Sequence, residues 1–153
     1  MHFEGEQTIK APITAVYAFF TDPHQVASCA PGFQSMEVLG PDHFKPKVGV
    51  GIGAVKATFT LDVTLTDLRE PEHAVVKGHG VAAGSAVDMS GAMDLKAESE
   101  TVTHMDWHAE VNVSGTIASV GARLMEGTAR KMTARFFDCV RQKVEAPAST
   151  AST

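Results

Sequence analysis

The chain has 153 residues, 44% of them hydrophobic, and a formal charge of −5. That is one domain able to bury about two thirds of its unfolded surface without staples. The acidic balance argues against a nucleic-acid binder, and no apolar stretch reaches the ~18 residues of a membrane-spanning helix. The polar, acidic start MHFEGEQTIK is not a signal peptide. Aromatic residues are few, whereas there are seven Met and thirteen Gly, so the apolar inventory is soft.

Phe3, Gln7 and Ile9 alternate within a first strand. Pro12 suits the first position of a helix, and Ile13, Val16, Tyr17 and Phe20 form its apolar stripe. Asp22-Pro23 ends that helix, and a second short one runs from about Pro23 to Cys29, stopped by Pro31-Gly32. Strands follow at Phe33–Gly40, through Phe44, Val48, Val50 and Ile52, and at Ala54–Leu68. The last of these alternates apolar Val55, Ala57, Phe59, Leu61, Val63 and Leu65 with polar neighbours, a strong half-buried pattern. Glu70-Pro71-Glu72 turns into Ala74–Val81, whose flanking glycines mark a bend. Val87, Met89, Gly91, Met93 and Leu95 share one face of the next strand. In the last, Met105, Trp107, Ala109, Val111 and Val113 oppose His104, Asp106, His108, Glu110 and Asn112.

After Ser114-Gly115-Thr116 the period becomes helical, with Gly121, Leu124, Met125, Thr128, Met132, Phe136, Cys139 and Val140 on one stripe. About 27 residues give a helix of roughly 40 Å, which must lie across a sheet. Residues 145–153 read as a linker-like polar tail, leaving 1–144 as the domain. The charge divides with these elements. Residues 1–117 carry seven Lys/Arg against fifteen Asp/Glu; residues 118–144 carry six against two. The basic helix is a solvated face or a docking face for an anionic membrane surface or an acidic partner. The fold class is α+β: an antiparallel sheet of six or seven strands wrapped around a long C-terminal helix, with two short helices after the first strand.

No catalytic set is legible. His104, Asp106 and His108 share a strand face at spacings of ~6.6–6.8 Å, but it is the polar, outer one. His79, among glycines, could face a cavity mouth. Gly49-Val50-Gly51-Ile52-Gly53 lacks the spacing and the following helix of a nucleotide-binding loop. Two cysteines, Cys29 and Cys139, do not make a disulfide framework and fit a reducing cytoplasm, and they are too few and too distant in sequence for a metal site. Cys139 reads as core and Cys29 as a residue near the entrance of an interior space. No cofactor and no metal are expected.

Ile9-Lys10-Ala11-Pro12 leading into Val16–Phe20, Cys29-Ala30-Pro31-Gly32, the Gly51–Phe59 strand entry, the Gly115–Leu124 helix start and Arg135-Phe136-Phe137 stand here in one order. Together they resemble the CoxG-like family of carbon monoxide dehydrogenase subunits, within the SRPBCC, or START-like, helix-grip superfamily. The resemblance implies a binding cavity between sheet and last helix, with no shared catalytic motif. It also implies an accessory, carrier or membrane-recruitment role beside a molybdenum-containing dehydrogenase. The expected occupant is a hydrophobic small molecule, lipid or quinone-like. The expected lining is Cys29, Phe59, Leu61, Met89, Met93, Trp107, Val111, Val120, Leu124, Met125 and Thr128. Large, small and flexible Met side chains together suit an adaptable apolar site. The expected location is cytoplasmic, with peripheral contact at the inner face of the membrane through the basic helix. The alternatives are an assembly factor without ligand, and a cyclase- or hydrolase-like enzyme using the cavity.

Overall fold

A computed structural model describes residues 1–151, with side chains as far as Glu145. Strand β1 (His2–Ile9) is followed by helices α1 (Ile13–Phe20) and α2 (Pro23–Ser28). Six strands come next: β2 (Phe33–Gly40), β3 (His43–Ile52), β4 (Val55–Arg69), β5 (His73–Ala82), β6 (Ser85–Ser99) and β7 (Val102–Gly115). A 3-10 turn at Thr116–Val120 leads into α3 (Ala122–Ala151). The sequence expected a tail from residue 145; α3 instead carries helical backbone on to Ala151, and residues 152 and 153 lie outside the described residues.

The seven strands form one antiparallel sheet in the order β1-β7-β6-β5-β4-β3-β2. The order explains the two short helices. The chain starts on one edge, crosses through α1 and α2 to the opposite edge, and meanders back to pair β7 with β1. The sheet curves around α3, so the wrapped-sheet architecture expected from the element order, which the family resemblance implied as a helix-grip fold, is the one formed.

Local chemistry sets the joints. Pro12 is the N-cap of α1, one position outside the helix, and Asp22 caps α2 by accepting from the His24 N–H at 3.0 Å. Gly32 sits at φ +82° and docks its backbone on β3, where Gly49 N–H donates to its carbonyl at 2.9 Å. A Cβ at position 32 would lie 2.0 Å from the Gly49 oxygen, so only glycine permits this approach. Gly121 (φ +98°) is the corner between the 3-10 turn and α3, not part of the apolar helix stripe.

The apolar interior is not one continuous core. One cluster joins Ile9, α1, Met93, Leu95 and Met105 to Phe137 and Val140 of α3. A second groups Ala27 with Phe44, Val63 and Leu65. A third, under the 3-10 turn, holds Ile52, Phe59 and Ile117 with Val120 and Met125 packed on it. Domains of this size commonly have a single contiguous core; here a cavity separates the parts.

The cysteines depart from expectation. Cys29 and Cys139 are joined by a disulfide with Cα atoms 5.5 Å apart. Their separation of 110 residues hid this, because the contact exists only once α2 packs on α3.

Candidate functional site: an apolar cavity under the long helix

The cavity has a volume of about 400 Å³. Its floor is the inner face of β3 to β7, and its walls are α1, α2 with the following Ala30-Pro31 loop, and the middle of α3. Strand alternation aims one residue in two at this space. Met93 pairs with Trp107 and Gly91 with Ala109 across β6 and β7, both on the inner face. Gly91 and Ala109 leave room where Met93 and Trp107 fill it.

Of the residues expected to line the space, Leu61, Met89, Met93 and Trp107 do so. The others lie elsewhere. Phe59, Val120 and Met125 belong to the cluster under the 3-10 turn. Val111 lies beyond Ala109 on the same strand face, outside the lining. Leu124 is 45% exposed and packs its Cδ2 near Gly53. Thr128 is half-buried one turn short of the cavity, and Cys29 is buried in the disulfide. The departures of Leu124, Met125 and Thr128 share one cause. Gly121 and the 3-10 turn delay α3, so its first turn covers the end of the sheet and the cavity begins at Met132.

Met132, Thr133, Phe136 and Phe137 form the roof, and the sequence reading passed over Thr133. The helical stripe contained the signal, since Thr133 follows Met132 and precedes Phe136 by three. Its hydroxyl donates to the Ala129 carbonyl at 2.8 Å and is satisfied within its own helix. The indole of Trp107 rests on Gly5, where a Cβ would lie 3.1 Å from the ring. Its Nε1 is a buried donor without a hydrogen-bond partner among the described residues.

Among the described lining residues His108 alone carries an ionisable side chain, and it is exposed on the outer side of β7. The other histidines expected at a site also face outward. His79 Nδ1 pairs with Asp88 at 2.6 Å and is 57% exposed, on the face opposite the cavity. His104 Nε2 lies 3.2 Å from Glu6 and 3.3 Å from Asp106. Glu6, His104 and Asp106 place one ligand atom each within 4.8 Å of one another, and could meet a cation at the surface; His108 is not in that group. His2 bonds Glu110 and Glu4, which raises its pKa. A groove of about 520 Å³ lies on this outer face; Asp62, Lys77, His79, Asp88 and Glu110 line it and it suits water.

Arg123, Arg130, Lys131 and Arg135 are exposed on α3, and among the described residues none has a salt-bridge partner. Arg141 differs: it pairs with Asp138 and bonds the Gln7 side chain, tying α3 to β1. No described helix is long and apolar enough to cross a membrane.

Residues 5–145 match the CoxG family of carbon monoxide dehydrogenase subunits. No curated protein matches the chain. Among solved structures, a conserved protein from Geobacillus kaustophilus is 25% identical, with a TM-score of 0.88 over 95% of this chain and 96% of the other. The Zhui aromatase/cyclase from a Streptomyces species is 17% identical, with a TM-score of 0.69 over 95% and 93%. A START superfamily protein from Mycobacterium smegmatis is 10% identical, with a TM-score of 0.71 over 95% and 97%. The last two likenesses bear on the fold alone.

Proposed function

Because this chain belongs to the CoxG family of carbon monoxide dehydrogenase subunits, and because its fold surrounds an apolar cavity, we propose that it binds a hydrophobic small molecule as an accessory to a molybdenum-containing dehydrogenase of the carbon monoxide type. The observation that carries this reading is the cavity. Sheet and helix are held apart over about 400 Å³ by side chains that are nearly all apolar, a composition that suits a lipid tail or quinone ring. Four methionines, Met89, Met93, Met105 and Met132, let the walls adapt to shape. Trp107 lines the cavity and its buried indole N–H has no partner among the described residues, so a quinone-like occupant, unlike a plain hydrocarbon, brings a carbonyl that could serve as its acceptor. The lining offers no inward acid or base, which favours carriage over the cyclase alternative.

The test is native mass spectrometry of gently purified protein, followed by titration with N-phenyl-1-naphthylamine and displacement by decylubiquinone. A bound apolar species and saturable, displaceable probe binding are expected. No adduct and no probe binding would overturn carriage.

A second reading rests on the four unpaired cations of α3. They form a basic face suited to recruitment, either to an acidic partner protein or to the inner, cytoplasmic face of an anionic membrane. Reversing Arg130 and Arg135 to Glu should abolish pulldown of the dehydrogenase or flotation with phosphatidylglycerol vesicles; unchanged binding in both sinks this reading.

A further inference from the structure

The chain has two cysteines, and they are bonded to each other. Cys29 is the C-cap of α2 and directly precedes Ala30 and Pro31, which form one wall of the cavity. Cys139 lies on α3 just after Phe136 and Phe137, which form its roof. The disulfide therefore joins the loop wall to the helix wall at the cavity margin. Around the bond, Cys29 shares a buried apolar cluster with Phe137 and Val140 of α3, and Ala27 of α2 is buried in a second cluster against β3 and β4. Lys143 Nζ donates to Ser28 Oγ at 2.5 Å, in an exposed contact. Phe20 tilts against Phe136 with ring centroids 6.1 Å apart. α2 itself is six residues long, too short to hold its place by helix propensity.

We propose that the Cys29–Cys139 disulfide is a redox-operated latch on the cavity, shut when oxidised and opened by a dithiol reductant. The proposal rests on the reading that the cavity takes an apolar ligand. In a reducing compartment, protein disulfides are characteristically transient and redox-sensing. Cys139 is half-buried and Cys29 buried, so exchange begins at Cys139. A thiolate of the dithiol attacks the Cys139 sulfur, the bond to Cys29 breaks, and Cys29 leaves as a thiolate that takes up a proton. The second thiolate of the dithiol then attacks its own sulfur in the mixed disulfide and releases Cys139, which is also protonated. Two electrons and two protons pass to the protein, and the dithiol becomes a disulfide. With the bond gone, only apolar packing holds α2 and the Ala30–Gly32 loop against α3, and this packing can open transiently, so ligand exchange is fast when reduced and slow when oxidised. Gly32 stays docked on β3 and serves as the hinge side of the movement.

The experiment follows stopped-flow entry and exit of N-phenyl-1-naphthylamine, together with hydrogen exchange, before and after tris(2-carboxyethyl)phosphine. Aerobically purified protein should show no free thiols. Reduction should speed probe entry and exit at least tenfold and raise amide exchange over residues 23–32 while the sheet stays protected. Cys139→Ser should be fast without reductant and indifferent to it; if that variant fails to fold, the reduced wild type carries the comparison. Free thiols in the oxidised preparation overturn the latch, as do equal rates and equal exchange in both states. So does loss of protection throughout the chain, which would make the bond a structural staple. If the probe binds in neither state the carriage reading falls, and the exchange over residues 23–32 still decides the latch.

Discussion

Trp107 of β7 and Phe137 of α3 meet with ring centroids 5.6 Å apart and planes inclined by 38°. Phe137 is buried, and the far side of Trp107 rests on Gly5 of β1. The pair thus carries a stack from the sheet edge to the helix, at the border where the packed core gives way to the cavity. Phe137→Ala should cost about 3 kcal/mol, the low end for a buried aromatic because the site already borders open space. Urea unfolding of the two proteins measures it, and a loss below about 1 kcal/mol would contradict the packing described.

Leu124 provides the contrast. Its place on the helical stripe suggested the interior, yet it is nearly half exposed beside Gly53. Leu124→Ala should cost less than about 1 kcal/mol and leave N-phenyl-1-naphthylamine binding unchanged. Met132→Ala, in the roof, should alter probe affinity. The opposite pattern would place the cavity under the first turn of α3.

Trp107→Phe removes a buried donor that has no partner. The stability change should therefore stay within about 1 kcal/mol despite the lost ring area. If a ligand carbonyl accepts from this indole, decylubiquinone affinity should fall about threefold to tenfold, as for one hydrogen bond. N-phenyl-1-naphthylamine, lacking a carbonyl, should bind as before. Equal losses for both ligands would show that Trp107 contributes shape alone.

Asp22 caps α2, and its pKa is lowered from 3.8, chiefly by the Gln25 side-chain hydrogen bond at 2.8 Å and further by the backbone N–H of His24. A carboxyl lowered in the folded state contributes its full stabilisation above its ordinary value and loses it as pH falls through the lowered one. Asp22→Ala should cost about 1 kcal/mol at neutral pH. The gap to wild type should shrink only below pH 3.8. Asp22→Asn, which keeps an acceptor, should show no such pH dependence. A gap that already closes between pH 7 and 5 would assign the effect to another group.

Much of the fold was readable because it is written in local periods. Residues 55–65 alternate over six apolar positions and form β4, and the acidic outer and apolar inner faces of β7 stand as the period of two dictates. Part of the cavity floor followed from the same rule, through Leu61, Met89, Met93 and Trp107. The roof did not, because a helical stripe says which side faces inward and not what lies opposite. Gly121 and the turn before it shift α3 along the sheet, so Leu124, Met125 and Thr128 cover one end while Met132 to Phe137 cover the space.

The sequence by itself determined the element types, their order, the inward face of each strand, and the separation of an acidic sheet from a basic helix. Only the tertiary structure decided that the core breaks into three clusters around a cavity, that His79 turns away from it, and that Cys29 meets Cys139. The first set depends on residues a few positions apart, whose relation the backbone period dictates. The second depends on where α2 and α3 come to rest on the sheet, a contact between parts 110 residues apart that no local pattern encodes.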